Sequence, residues 1–372
     1  MPAKKIGGKS TSKITSLMPP NARALISGKG DEVVRQIGLD VIRGIVCDVL
    51  CGKNLRDSTE ILTRRKLATL NAATLVMFLR GESQSRGFAE QLPSIASERL
   101  KHKLVSDERQ ILQWVLGLTN KATQNVLRDS LESLDRYKDE YINICREVVS
   151  ACESDYGELS GALELSPSEK AEINWNFIVE LLGTVGAQTL AIRGSEKSTY
   201  GKLFERLILG SLLSILGFEF VPMENLVSPK RVFWLSSAGE KRESDATLLY
   251  QAGQGARFDI GFIGRGNPEI SLDKVSRFER EVEYGRGRWY LATIILVDHI
   301  GKGSRIERLA EAIEGTIIQM SMAYWPKQVA EVLRERMGFT HELVNMPDNE
   351  IRKFLQRKMM TVPLERFIGM TT

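Results

Sequence analysis

The chain has 372 residues, of which 42% are apolar, and a formal net charge of +4. This length and composition allow a full core, predict two domains, and exclude a strongly basic, histone-like surface although not a local positive cleft. No apolar run is long enough to span a membrane and the N-terminal lysines lack an apolar signal core, so we expect a cytoplasmic protein with no membrane partner.

The first 20 residues are expected to form a flexible basic tail. The segment Gly7-Gly8-Lys9-Ser10 is similar to the end of a phosphate-binding loop, but the first glycine of such a loop and a preceding strand are missing. Residues 21–165 are predicted to form a helical domain for DNA binding or dimerisation, because apolar residues recur three and four positions apart. The predicted helices are 32–51, 57–79, 107–118 and 123–153.

The second domain is predicted over 166–325, after a boundary at 157–166. The sequence Ser166-Pro167-Ser168-Glu169 is typical of a capping box with proline at the first helical position, so a helix is predicted to begin there. Another helix is predicted over 200–216, capped by Ser198-Thr199. Gly217 is expected to end it, and 218–221 to begin the sheet.

A β-hairpin is the central prediction of this domain. Two glycines in Gln251-Ala252-Gly253-Gln254-Gly255 permit the positive φ angles of a tight turn. The flanks 243–250 and 256–263 are rich in branched and aromatic residues and are predicted to be strands. This register places Asp245 opposite a residue close to Asp259 or Gly261.

Two acids in this hairpin predict a metal site. Opposed side chains of a strand pair are about 5 to 8 Å apart. Two carboxylates at that distance repel each other unless a hard cation binds between them, and Asp259 also interrupts an apolar strand, where a lone charge is unfavourable. Acids at strand ends are often ordinary solvated residues, but the apolar context favours Mg²⁺ binding by Asp245 and Asp259.

The remaining elements are a helix over 272–284, a buried strand over 289–297 and a helical, basic C-terminal extension over 326–372. The extension could contact DNA phosphates or form a dimer surface. The predicted order of the core is therefore helix, strand, strand, strand, helix, strand, which is a mixed α/β fold.

The cysteine and histidine residues give little support to a zinc site or to a hydrolase with a nucleophilic serine or cysteine. Cys47 and Cys51, and Cys145 and Cys152, have same-face helical spacing without a zinc-knuckle motif, so buried reduced thiols are expected. Of the three histidines only His299 follows a core strand, and no Gly-x-Ser-x-Gly motif accompanies it. These patterns argue against structural zinc and against a serine or cysteine hydrolase.

The order of elements resembles the common core of the PD-(D/E)xK nuclease superfamily over the middle third of the chain. By this resemblance, Ser244-Asp245 is similar to the Pro-Asp element and Asp259 to the second metal-binding acid. Glu205 is similar to the helical acid that supports a second metal or the attacking water. The match is incomplete, because Gly261 stands where the family places its lysine.

The resemblance implies that a lysine reaches this position from elsewhere. Lys274 is the candidate, because some members keep the catalytic side chain on the following helix; a solvated lysine beside Asp273 is the alternative reading. Lys241, upstream of Asp245, is a weaker candidate.

The segments 198–205 and 258–264 also resemble the CfrBI-like type II restriction endonucleases, which cut double-stranded DNA at CCWWGG. The implied function is Mg²⁺-dependent cleavage of DNA at a short palindrome by a homodimer, with a cognate DNA methyltransferase as genetic partner. The alternatives are a repair or recombination nuclease without sequence specificity, and a DNA-binding module that has lost the metal.

Overall fold

The computed structural model describes residues 14–27, 34, 38–128, 130, 132–222, 230–236, 244–262, 290–298, 315–322 and 324–368. The chain divides into two compact units. Residues Met1–Gly28 and Leu62–Lys197 form the first unit, and residues Lys29–Ile61 and Ser198–Thr372 form the second.

The elements are numbered in chain order over the described residues. The helices are α1 Ile14–Leu17, α2 Pro20–Ser27, α3 Leu39–Leu50, α4 Leu55–Gln84, α5 Phe88–Leu100, α6 Ser106–Val115, α7 Asn120–Val126, α8 Glu132–Tyr156, α9 Trp175–Ile215, α10 Trp325–Met337, α11 Asp348–Met359 and α12 Glu365–Ile368, with a 3₁₀ turn at Glu342–Asn345. The strands are β1 Gly161–Ser166, β2 Glu169–Ile173, β3 Glu219–Phe220, β4 Val232–Leu235, β5 Ala246–Gln251, β6 Gln254–Gly261, β7 Tyr290–Val297 and β8 Thr316–Gln319.

The first unit is a helical layer around one apolar core. Phe78 of α4 and Phe177 of α9 meet edge to face in this core, with ring centroids 5.8 Å apart. A buried polar network joins the same two helices, because the Gln188 side chain accepts from Thr74 Oγ1 at 2.8 Å and donates to Asn71 Oδ1 at 2.7 Å. Such a network specifies how the helices pair, since an unmatched amide inside a core is costly.

The prediction that a helix begins at Ser166-Pro167 was wrong. Strands β1 and β2 form an antiparallel hairpin there, in which Leu163 pairs with Ala171 and Glu164 with Lys170. Proline is favourable at position i+1 of a turn as well as at the first position of a helix. The alternation of apolar and polar residues on both sides of this proline favours strands. The helix begins instead at Trp175, where Asn174 Oδ1 accepts from the backbone N–H of Phe177 at 2.9 Å.

The predicted cap at Ser198-Thr199 was also wrong, because α9 runs through these residues without a break from Trp175 to Ile215. The end of this helix is as predicted: Gly217 has φ of +85°, and the N–H of Phe218 bonds back to the carbonyl of Leu213 at 3.0 Å. A left-handed residue at this position is the usual way to end a helix.

The prediction that no apolar run is long enough to span a membrane was wrong for one segment. Within the described residues, Trp175–Gly194 of α9 is long and apolar enough to cross a membrane by length and composition alone. Its inner face carries Glu180, Thr184 and Gln188, which are buried and hydrogen-bonded inside the first unit.

Glu180 makes the stability of the first unit depend on pH. Burial raises the pKa of the Glu180 carboxyl to about 7, although the Tyr141 hydroxyl donates to it at 3.2 Å and lowers the value. The folded state therefore binds the proton more tightly than the unfolded state, so this contribution is complete below about pH 4.5 and is lost as the pH rises to about 7.

We expect Glu180→Gln to be more stable than the wild type at pH 8 but not at pH 4. The difference between the two proteins should change by about 2 to 3 kcal/mol over that interval, measured by urea unfolding. Glu172→Gln is the matched control, because Glu172 is exposed in an ion pair with Arg86. A constant difference between Glu180→Gln and the wild type at all pH values would contradict the expectation.

The second unit contains a six-stranded mixed sheet in the order β3-β4-β5-β6-β7-β8. Strands β4, β5 and β6 are antiparallel neighbours, whereas β3 with β4, β6 with β7, and β7 with β8 are parallel. The predicted mixed α/β class is thus confirmed, as are the strands near 218–221 and 289–297. The sheet has two strands more than predicted, β4 and β8.

One face of this sheet packs against an aromatic cluster. Phe220 and Phe233 contact Phe367 of α12 at ring-centroid distances of 5.3 and 6.2 Å.

In the same unit, the indole N–H of Trp325 donates to the carbonyl of Val49 in α3 at 2.9 Å. This contact ties residues 29–61 to the unit that holds the sheet, although more than 270 residues separate the two groups along the chain.

Candidate active site

The predicted hairpin is confirmed. Strands β5 and β6 are joined by the two-residue turn Ala252-Gly253, in which Gly253 has φ of +76°. Only glycine adopts this backbone conformation without strain, so the turn residue sets the register of the two strands. Along that register, Thr247 pairs with Arg257 and Ala246 with Phe258.

This register brings the two predicted acids together. Asp245 directly precedes the Ala246–Phe258 pair, and both its backbone and its side chain remain hydrogen-bonded to β6, the strand that carries Asp259. The N–H of Asp245 donates to the carbonyl of Phe258 at 2.9 Å, and the N–H of Ile260 donates to Asp245 Oδ2 at 3.0 Å. The backbone of β6 therefore orients the Asp245 carboxylate. Asp245 is 8% exposed and Asp259 is 0% exposed.

The two faces of the hairpin differ in chemistry. Alternate side chains of a strand point to opposite faces, so Ala256, Phe258 and Ile260 form the apolar face, on which all three are 0% exposed. Arg257 and Asp259 share the other face, on which Thr247 of β5 is the partner of Arg257. Charged side chains are rarely buried unless they are paired or coordinated, so this face is where chemistry is expected.

Hydrogen bonds connect helix α9, the end of β4 and the residues that directly precede β5. The Arg206 guanidinium of α9 donates to the carbonyl of Ser236, which follows β4. The Ser236 N–H donates in turn to the carbonyl of Asp245 at 3.2 Å, and its hydroxyl donates to the carbonyl of Ser244. Arg206 of α9 is thus linked through Ser236 to Asp245, which directly precedes β5.

Glu205 precedes the anchoring Arg206 on α9 and is half-buried. The structure therefore places it on the helix before the sheet, at the level of the end of β4. Within the described ranges, no group of three or more His, Cys, Asp or Glu side chains is arranged to hold a metal ion. A ligand role for Glu205 stays a prediction, as it does for Asp245 and Asp259, which are the two candidate acids that the described residues bring together.

Three residues named in the sequence analysis lie outside the described residues. They are Lys274, together with its predicted helix, Lys241 and His299. Gly261, at the position where the PD-(D/E)xK resemblance implies a lysine, is the last residue of β6 and pairs with Val297 of β7.

Two buried charged residues were missed by the sequence reasoning. Arg257 is 3% exposed on the polar face of β6, and Asp298, at the end of β7, is 6% exposed and accepts a hydrogen bond from the side chain of Asn54. The signal that identified Asp259, a charge inside an apolar strand, applies equally to Arg257 and could have found it. Asn54 is distant in the sequence, so nothing local connects it with Asp298.

The donor set fits a hard divalent cation. Both acids offer only carboxylate oxygens, and both are withdrawn from solvent on adjacent strands. Mg²⁺ is commonly held by one or two carboxylates, with water and substrate phosphate in the other positions, so a third acidic ligand is unnecessary.

Comparison with known proteins gives a consistent result. A family model described as CfrBI restriction endonuclease matches residues 39–305. The chain is 38% identical over 359 residues to the type II restriction enzyme CfrBI of Citrobacter freundii, an alignment that covers 96% of this chain and 99% of that protein. No solved structure matches the chain significantly.

Proposed function

The chain belongs to the CfrBI restriction endonuclease family, and on this premise we propose that it is a type II restriction endonuclease. It would hydrolyse phosphodiester bonds of double-stranded DNA at a specific short site. The observation that carries the proposal within the molecule is the pair of buried acids, Asp245 and Asp259, at the same end of adjacent strands.

Asp245 and Asp259 would hold Mg²⁺. When bound there, the ion would lower the pKa of a bound water and offset negative charge on the phosphate in the transition state. The protein would hold both carboxylates in fixed orientations. The Ile260 N–H donates to one oxygen of Asp245, and the burial of Asp259 restricts rotation of its side chain and limits competing water. A rigid carboxylate pair loses little entropy when it binds an ion.

Lys274 is proposed to position the water or the scissile phosphate, with Lys241 as the alternative. Glu205 is proposed to support a second ion or to orient a ligand. Its neighbour Arg206 is linked through Ser236 to Asp245, which supports that assignment.

The partners follow from the reaction. The substrate would be a palindromic duplex, and cutting both strands of a two-fold symmetric site would be done by a homodimer. The host DNA would need a cognate methyltransferase, and the enzyme would act in the cytoplasm. We further propose that the first unit, which contains most of the predicted helical domain 21–165, serves DNA binding or dimerisation. The nuclease core would then lie in the second unit, with 326–372 as its helical extension.

Digestion of plasmid DNA tests the proposal. With Mg²⁺ the protein should yield discrete bands, and EDTA should abolish the cleavage. A smear would instead identify a repair or recombination nuclease without sequence specificity. Intact DNA, under conditions in which the protein still binds the duplex, would identify a DNA-binding module that has lost its metal.

A further inference from the structure

The outward face of α9 in the first unit is apolar and exposed. Leu182 and Leu190 are 61% and 68% exposed, which makes them the most exposed leucines among the described residues. Each lies four positions from Gly186, which is also exposed, so the three residues follow one another at intervals of about one turn and form the α9 stripe. Half-buried Val179 continues it towards the start of the helix. A contiguous exposed apolar surface of this kind marks an interaction site.

The charge of this face excludes two classes of partner. Between residues 175 and 192 the helix contains no lysine or arginine, and its one acid, Glu180, is buried on the inner face. DNA phosphates and anionic membrane surfaces are bound through basic side chains, so neither fits the α9 stripe. A membrane span does not fit either, because Thr184 and Gln188 on the inner face are buried and hydrogen-bonded within the first unit. The face fits another apolar protein surface.

The α9 stripe is complementary to itself. In an antiparallel pair of α9 helices centred on Gly186, Leu182 of each copy would face Leu190 of the other, since both leucines are four positions from the centre. Among the described residues, no atom outside the chain neighbours and the local helix backbone lies within 4 Å of the place that a Cβ at residue 186 would take. This open space lets two helices approach closely at the two-fold axis. Such a contact is isologous, as in a symmetric dimer.

We propose that the α9 stripe is the dimer interface of this protein and that its partner is a second copy of the chain, packed antiparallel about Gly186. The inference rests on the proposed function, because cleavage of both strands of a two-fold symmetric site is what makes a second copy the expected occupant. It assigns dimerisation to the first unit, for which DNA binding was the alternative.

The size of the stripe sets the expected strength of the dimer. A helix of 20 residues is about 30 Å long and about 10 Å wide, so the contact measures roughly 300 Å² per copy. Standard protein interfaces bury about 800 Å² per partner. The free protein is therefore expected to dimerise with a dissociation constant of about 1 to 10 µM.

Sedimentation of the full chain in EDTA, without DNA, tests the interface. The wild type should change from monomer to dimer between about 0.1 and 100 µM. Leu182→Lys and Leu190→Glu should each weaken dimerisation at least about 100-fold, because each places a charge against a leucine of the second copy. The double variant should regain at least about 10-fold of that loss, because the introduced lysine of one copy then faces the introduced glutamate of the other.

Leu165→Lys is the matched control, because Leu165 is an exposed leucine of β1 in the same unit. This variant should dimerise like the wild type. All the variants change exposed side chains, so their melting temperatures should stay close to that of the wild type. A wild type that is still monomeric at 100 µM, or a double variant that dimerises no better than the single variants, would overturn the proposal.

Cysteine crosslinking tests the two-fold axis separately. Gly186→Cys should form a disulfide-linked dimer on mild oxidation, because Cα atoms at the axis come within the roughly 4.4 to 6.8 Å that a disulfide spans. Gly194→Cys is the control, because Gly194 is also an exposed glycine of α9 with open space above it, and its two copies would be about 24 Å apart. The wild type, oxidised in parallel, reports linkage through its own four cysteines. Equal linkage of both variants, or of neither, would contradict the antiparallel pairing.

Other outcomes separate the interface from lipid binding and from the proposed function. A monomeric wild type that sediments with vesicles of phosphatidylcholine and phosphatidylglycerol would assign the α9 stripe to lipid and overturn the proposal. A monomeric protein that yields discrete bands from plasmid DNA would overturn the interface and leave the proposed function intact. A dimer that responds to the variants as expected but leaves plasmid DNA uncut would support the interface and count against the proposed function alone.

Discussion

Asp245→Ala and Asp259→Ala are each expected to lower the rate of DNA cleavage in Mg²⁺ at least about 10³-fold, because each removes one of two carboxylates that would hold the ion, and such an ion is worth several kcal/mol in the transition state. The rate should be measured in single turnover on a duplex with an identified cleavage site. Either variant that keeps more than a tenth of the wild-type rate would refute the assignment of these acids.

Folding must be controlled for, because Asp245 and Asp259 are buried. Asp259→Asn preserves shape and removes the charge, so it should lose cleavage while its binding of DNA persists or tightens as repulsion of the phosphate falls. Asp348→Asn is the same chemical change at an exposed ion pair with Lys327 in the same unit. Surface pairs contribute little, so that variant should cleave at the wild-type rate.

Binding to a cognate duplex is expected to be about 10³-fold or more tighter than binding to a scrambled duplex of equal length, as for proteins that read base edges. The comparison should use Ca²⁺ in place of Mg²⁺, so that the paired acids are neutralised without cleavage. A general nuclease would bind both duplexes with similar affinity.

The two affinities must be compared at one salt concentration. Contacts with phosphates release counterions from any duplex, so both affinities should fall steeply as salt increases and the slope does not distinguish the two models. Equal affinities in Ca²⁺, together with smeared plasmid digestion in Mg²⁺, would exclude the restriction function and leave the general nuclease.

The local sequence was sufficient for the elements that position Asp245 and Asp259. Gly253 permits the turn, the branched and aromatic residues on both sides form the strands, and a fixed turn sets the register of a hairpin. The proximity of Asp245 to the segment of β6 that contains Asp259 is therefore a consequence of the local sequence. Gly217 and the apolar strand β7 were predicted for the same reason, because their signals lie within a few residues.

Interactions between distant segments decided the rest. Strands β4 and β8 have four residues each, too few for a periodic pattern, and they are strands because neighbouring strands supply their hydrogen bonds. Residues 29–61 belong with the sheet through contacts such as that of Trp325 with Val49, which no local pattern encodes.

The candidate site divides in the same way. The sequence alone identified two acids and the absence of a lysine at Gly261, because residue types and their spacing are visible in it. That Arg257 is buried on the same face as Asp259 became clear only when the strand and the burial were known. A charge inside a strand is a local fact, whereas the partners that compensate it depend on which strands are its neighbours.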